Sequence, residues 1–120
     1  MKKLTLAVAA SLFAAVGASA HAADLAAGQA AFQKYTCVTC HGADAKTSTL
    51  PSYPILAGQH ADYLAHSLRT YKRGQAGAPA TSNVRKDAVM GAMVQQLSET
   101  DIKNISAWLA SLPSPLSIAK

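Results

Sequence analysis

Cys37-Val38-Thr39-Cys40-His41 is a C-x-x-C-H pentapeptide, and it holds both cysteines of the 120-residue chain. Two thiols three positions apart can each bond one vinyl group of the same porphyrin, and the imidazole that follows is then held over the iron. The five residues therefore read as a haem-attachment signature. Two other chemistries use the same residue types. A C-x-x-C disulfide of the thioredoxin kind belongs to a βαβ context, whereas the segments around this motif carry helical spacing and no strand pattern. A structural zinc site takes four ligands and needs a second paired cluster. No second cysteine pair exists, and the distance of His60 and His66 from Cys40 along the chain fits no usual finger.

Upstream of the motif, Leu25, Gly28, Phe32 and Tyr35 recur at three- and four-residue steps behind Asp24, which predicts a short N-capped helix from Asp24 to Tyr35 with one buried stripe. Further upstream, Lys2 and Lys3 precede an uncharged apolar run from Leu4 to Val16 and the small residues Gly17-Ala18-Ser19-Ala20-His21-Ala22. That order reads as a cleaved secretory signal peptide. The run is about 13 residues, short of the roughly 20 that a membrane-spanning helix needs. Small-x-small sites end at Ala20 and Ala22, and cleavage after Ala22 is preferred. Residues 1–22 are then the leader, residues 23–113 one domain and residues 114–120 a loose tail. Removal of the 22 leader residues leaves 98 and takes the formal charge from +5 to +3 with the loss of Lys2 and Lys3. Export makes a plain disulfide the default for paired cysteines, and the spacing of Cys37 and Cys40 argues against it here.

Downstream, residues 42–58 hold Gly, Thr, Ser, Pro51 and Pro54 without a sustained period and read as a long loop. Tyr63, Leu64, Leu68 and Tyr71 share one side of a second helix over Ala61–Arg73, with Gly74 as its terminator. Another loop, residues 74–87, leads to a turn or two of helix around Met90, Met93 and Val94. Ser98 and Asp101 form a capping-box pattern ahead of Ile102, Ile105, Trp108, Leu109 and Leu112, which follow helical spacing up to Pro113. The class is all-α with long loops. Such loops are unusual in a small domain unless they wrap something. Half of the chain is hydrophobic, but alanine inflates that figure and aromatics are only 6%, so side chains alone give a domain of this size a poor core. A ligand at its centre would complete it. No charge run long enough for a nucleic-acid arm and no low-complexity tract is present.

Haem iron has a fifth and a sixth ligand, and whether the protein supplies the sixth separates electron transfer from reactive chemistry. Met90, Met93, His60 and His66 are the candidates, although a methionine is more commonly core filler. His66 shares a helix side with Arg69 and Lys72, which suits an exposed role.

The helix with Gly28 and Phe32, the Cys37–His41 motif, Pro54-Ile55-Leu56-Ala57-Gly58-Gln59, the methionine segment Arg85-Lys86-Asp87-Ala88-Val89-Met90-Gly91-Ala92-Met93, then Leu97-Ser98-Glu99-Thr100-Asp101-Ile102 and Trp108-Leu109 follow one another as in the class I c-type cytochromes. Over the whole mature chain the sequence resembles small bacterial periplasmic members of that family, as a single-haem relative of the dihaem cytochrome c four group. The resemblance implies the class I fold, about four helices with long loops around one covalent haem c. It implies thioethers from Cys37 and Cys40, His41 as proximal iron ligand, and the Pro54 carbonyl as acceptor for the proximal imidazole, which would fix the ring. Gly28 and Phe32 would pack against Trp108 of the last helix. Met90 would be the distal ligand, with Met93 the runner-up and alanine at position 88 where many relatives have proline. Arg85 resembles a basic residue near the haem propionates, the plainer reading being a solvated charge.

The function so implied is a periplasmic one-electron carrier, not an enzyme, with protein redox partners as donor and acceptor and no nucleic acid. It would meet the membrane only through respiratory complexes, and a monomer is expected. Lys34, Lys46, Arg69, Lys72, Arg73, Lys86 and Lys103 would steer acidic partners, or be merely solvated. Two rivals are a haem subunit of a periplasmic dehydrogenase or oxidase, and an open-site haem protein that binds small gases or peroxide.

Overall fold

A computed structural model describes residues 22–116 of the chain, so the expected leader, apart from Ala22, and positions 117–120 lie outside the described residues. Among the described residues there are helices and loops without strands.

Helix α1 spans Leu25–Lys34. Asp24 caps it by accepting from the Ala27 N–H at 2.9 Å, and the Asp24 N–H donates to Asn104 Oδ1 at 3.0 Å. The cap is thus tied to the far end of the sequence. Gly28, Ala31 and Phe32 form its buried stripe. Helix α2, Val38–His41, is a single turn that the periodicity did not foreshadow, because four residues are too few to show a period. Helix α3 spans Ala61–Gln75 and so runs through Gly74, the expected terminator. The reason is contact: a Cβ at Gly74 would lie 2.1 Å from the Arg85 carbonyl oxygen, so the glycine makes room for a crossing segment and does not end the helix. After a 3-10 turn at Ala80–Ser82, α4 covers Ala88–Val94 behind an Asp87 cap. Helix α5, Glu99–Ser111, opens with the expected capping box: the Asp101 N–H donates to Ser98 Oγ at 3.1 Å and the Ser98 N–H to Asp101 Oδ2 at 2.9 Å.

Three packings assemble these helices, α1 on α5, α3 on α5 and α3 on α4. At the first, Phe32 and Trp108 meet with ring centroids 5.1 Å apart and planes at 50°, a tilted arrangement that aromatic quadrupoles favour. The core joins Phe32, Leu64, Val94, Leu97, Ile102, Ile105, Trp108 and Leu109 with buried alanines. Of its side chains, Phe32, Ile102 and Val94 are the largest apolar ones to be sealed completely. The shortage of large apolar residues seen in the composition is therefore a property of the packed molecule too.

Candidate haem site

The motif is presented by a change of direction. Thr36 takes a left-handed φ of 58° after α1, the Cys37 N–H returns to the Phe32 carbonyl at 3.1 Å, and Cys37 becomes the N-terminal residue of the α2 turn. The His41 N–H donates to the Cys37 carbonyl at 3.0 Å, so thiols and imidazole share one helical turn. Both cysteines are free thiols and partly buried. Burial, reinforced by the neighbouring Cys40, pushes the Cys37 thiol up from its ordinary range.

His41 is 5% exposed. Its Nδ1 stands 3.2 Å from the Pro54 carbonyl oxygen, an arrangement in which Nδ1 donates and Nε2 is left as the lone-pair nitrogen. Burial lowers the imidazole's affinity for a proton, with the Pro54 carbonyl acting in the opposite sense. A buried, neutral, oriented imidazole is the form that binds a metal.

The loop that carries Pro54 has no regular structure, yet its backbone is bonded at close intervals. Gly42 leaves α2 with a φ of +79°, and a Cβ there would lie 2.2 Å from the Thr47 carbonyl. Asp44 takes the Lys46 and Thr47 N–H groups at 2.9 and 2.7 Å and the Thr47 hydroxyl at 2.7 Å. These donors pull its carboxyl down to about 2. Ala45, sealed at 0% exposure, offers its carbonyl to the Leu56 and Ala57 N–H groups at 2.9 and 3.0 Å, and Thr49 returns to the Cys40 carbonyl at 3.0 Å. Gly58 then donates to the Leu109 carbonyl at 2.8 Å, and the Ser114 hydroxyl donates to the Ala57 carbonyl. The first residue of the expected loose tail is therefore fastened to this loop. Asp44 and Ala45 escaped the sequence reading; the short Asp-x-x-Thr spacing of residues 44–47 is the signal that marks the turn.

Of the two methionines in question, Met90 is packed against the core cluster and partly buried, one turn into α4, where its N–H is held by Asp87 Oδ1 at 2.8 Å. Met93 lies one turn further along α4. His60 is exposed at the cap of α3, and His66 is exposed with Nε2 3.4 Å from Asn83 Nδ2. The Arg85 guanidinium donates to Tyr63 Oη at 3.0 Å and lies over the Tyr63 and Tyr71 rings, 5.4 and 5.6 Å from their centroids. Tyr63 and Tyr71 entered the sequence reading only as apolar helix positions.

The residues present fit a covalently attached haem. Two free thiols and an oriented imidazole are grouped on one turn. The elements flanking them leave apolar surface half covered: Val38, Leu56, Leu68, Tyr71 and Met90 are only partly buried, and Ile55, Tyr63 and Val89 are 39%, 47% and 57% exposed. A porphyrin is the size and polarity of group that such a surface takes.

Comparison with known proteins decides the matter. The family model for cytochrome c matches residues 25–113. This chain belongs to the cytochrome c family. It is 43% identical over 77 residues to cytochrome c-554(548) of Halomonas halodenitrificans, covering 63% of this chain and 83% of that one. It is 39% identical over 94 residues to cytochrome c4 of Azotobacter vinelandii, covering 77% of this chain and 43% of that one. The crystal structure of reduced recombinant cytochrome c4 from Pseudomonas stutzeri superposes with a TM-score of 0.65 at 38% identity, over 77% of this chain and 47% of that one. The chain thus spans less than half of the cytochromes c4 it matches. As a cytochrome c it is an electron-transfer protein with covalently attached haem c, and its single C-x-x-C-H motif provides for one such group. The fold is that of the class I cytochromes c.

Proposed function

We propose that the chain is a periplasmic carrier that moves one electron at a time, with Cys37 and Cys40 as the thioether residues, His41 as proximal ligand and Met90 as distal ligand. When bound, the haem supplies the ferrous–ferric couple. The observation that carries the reading is the 3.2 Å approach of His41 Nδ1 to the Pro54 carbonyl, because it holds a neutral imidazole with its other nitrogen available to iron. Met90 is favoured over Met93 by its packing on the core. A thioether opposite an imidazole favours the reduced state relative to a second imidazole, and a protein-supplied sixth ligand leaves no open position for substrate. Tyr63 takes one donor of Arg85, and the guanidinium has further N–H groups for a haem carboxylate. No helix among the described residues is long and apolar enough to cross a membrane, and the leader-like residues 1–22 support export.

The test is the absorption spectrum of the mature protein, oxidised and reduced, with and without carbon monoxide, for the wild type and for Met90→Ala and Met93→Ala. The expected result is a low-spin spectrum indifferent to carbon monoxide, with a sulfur-to-ferric-iron band that Met90→Ala alone abolishes. A high-spin wild type that binds carbon monoxide readily would replace the carrier by an open-site haem protein.

A further inference from the structure

Helix α4, which carries both methionines, is short, and its own first turn is held by one aspartate. What fixes it in place comes from α3. The Arg85 N–H donates to the carbonyl of Thr70 at 3.2 Å, and Thr70 is 1% exposed. The Arg85 carbonyl rests on Gly74, against the space where a side chain would be. The Arg85 side chain then folds back over Tyr63 and Tyr71, two rings of the same helix, with the 3.0 Å bond to Tyr63 Oη. Backbone and side chain of one residue are thus both committed to α3, two positions before the Asp87 cap. Preceding this anchor is an exposed stretch that includes Gly77 with a φ of +84° and Asn83 with a φ of 50°, and Gly77 has no neighbour within 4 Å of a Cβ built on it.

We propose that Arg85, Gly74, Tyr63 and Tyr71 form a clasp that holds the methionine helix against α3, and that its opening sets how fast the distal side of the iron becomes accessible. This rests on the assignment of the distal ligand to α4. Arg85 is a positioning residue: it acts on the methionine through the Asp87 cap. The geometry also accounts for a glycine inside a helix, where alanine is intrinsically the better residue by about 1 kcal/mol. Gly74→Ala should strengthen α3 as a helix and yet loosen α4, because the new Cβ displaces the Arg85 backbone.

The experiment mixes ferric, haem-loaded protein with imidazole at increasing concentration and records the limiting rate at which the sulfur-to-iron band is lost. Gly74→Ala and Arg85→Met are expected to raise that rate about tenfold, and Tyr63→Phe by a smaller factor. Rates within twofold of the wild type in all three would overturn the clasp. Loss of the band in Met93→Ala in place of Met90→Ala moves the ligand along α4 and leaves the rate test in force. Should the wild type carry no sulfur band, the ligand reading fails by itself, and amide hydrogen exchange then reads the clasp directly. Faster exchange over residues 88–94 in Gly74→Ala and Arg85→Met, with residues 99–111 unchanged, supports it. Equal exchange in variant and wild type, or equal acceleration of both segments, overturns it in favour of no role or a merely general contribution to stability.

Discussion

Gly28 and Asn104 meet at the crossing of α1 and α5 so closely that a Cβ on the glycine would stand 2.1 Å from the Asn104 carbonyl oxygen and 2.9 Å from Trp108 Cβ. Neither neighbour is the end of a flexible side chain. The helices must part for any larger residue, and the Phe32–Trp108 contact parts with them. Gly28→Ala is expected to destabilise the haem-loaded protein by about 1–3 kcal/mol, read as a lowered midpoint in denaturant with an unchanged slope. A variant as stable as the wild type would show that the crossing has slack.

The Asp44 turn should be sensitive to acid and to little else. Its carboxyl is held at about 2, below the ordinary 3.8, by the Thr47 and Lys46 amides and the Thr47 hydroxyl. A depressed value means that the ionised form favours the folded state: its contribution is complete above about pH 4 and is lost as pH falls toward 2. Asp101, lowered chiefly by the Ser98 hydroxyl, acts in the same direction. Followed by haem absorbance, Asp44→Asn is expected to be less stable than the wild type above about pH 5 and to lose stability less steeply across that window, so that the two converge toward pH 2. An equally steep transition would remove Asp44 from the account.

A core with so few large apolar residues should depend on its prosthetic group. The double variant Cys37→Ala, Cys40→Ala is expected to leave little helical circular dichroism, because a group bound only by the native state stabilises it by mass action. A cooperative thermal transition in a haem-free chain would refute this.

Charge steering of an acidic partner should be weaker than seven basic residues suggest. Arg69 is paired with Glu99 at 2.8 Å, which offsets its charge, whereas Lys72 and Arg73 are bonded to the neutral carbonyls of Leu97 and Asn83 and keep theirs. The rate of reduction by an acidic redox protein is expected to fall with ionic strength, and Lys86→Gln is expected to flatten that dependence more than Arg69→Gln. Indifference to salt would remove steering altogether.

The features legible in the sequence were those with local chemistry or a period long enough to count. Asp24 and the Ser98–Asp101 box announced two helix starts, and Cys37 to His41 announced haem. The helical class followed from the stripes that run from Leu25 to Tyr35 and from Ile102 to Leu112. Gly74 misled because helix termination and close approach of a second backbone call for the same residue, and only the position of Arg85 tells them apart. The α2 turn is too short for periodicity. The bonds from the Ala45 carbonyl to Leu56 and Ala57 and the tyrosine pair over Arg85 depend on contacts between residues distant in sequence, which carry no local mark, whereas the Asp44 turn has one in its Asp-x-x-Thr spacing.

The bond from Gly58 to the Leu109 carbonyl, 2.8 Å long, fixes an order of events. A ribosome makes the cysteines and the histidine some seventy residues before Leu109. Until that residue emerges, the wall that brings Pro54 to the imidazole has nothing to lean on. The loop that orients the imidazole therefore depends on the last helix, and the chamber around the motif is complete only once that helix has folded against it.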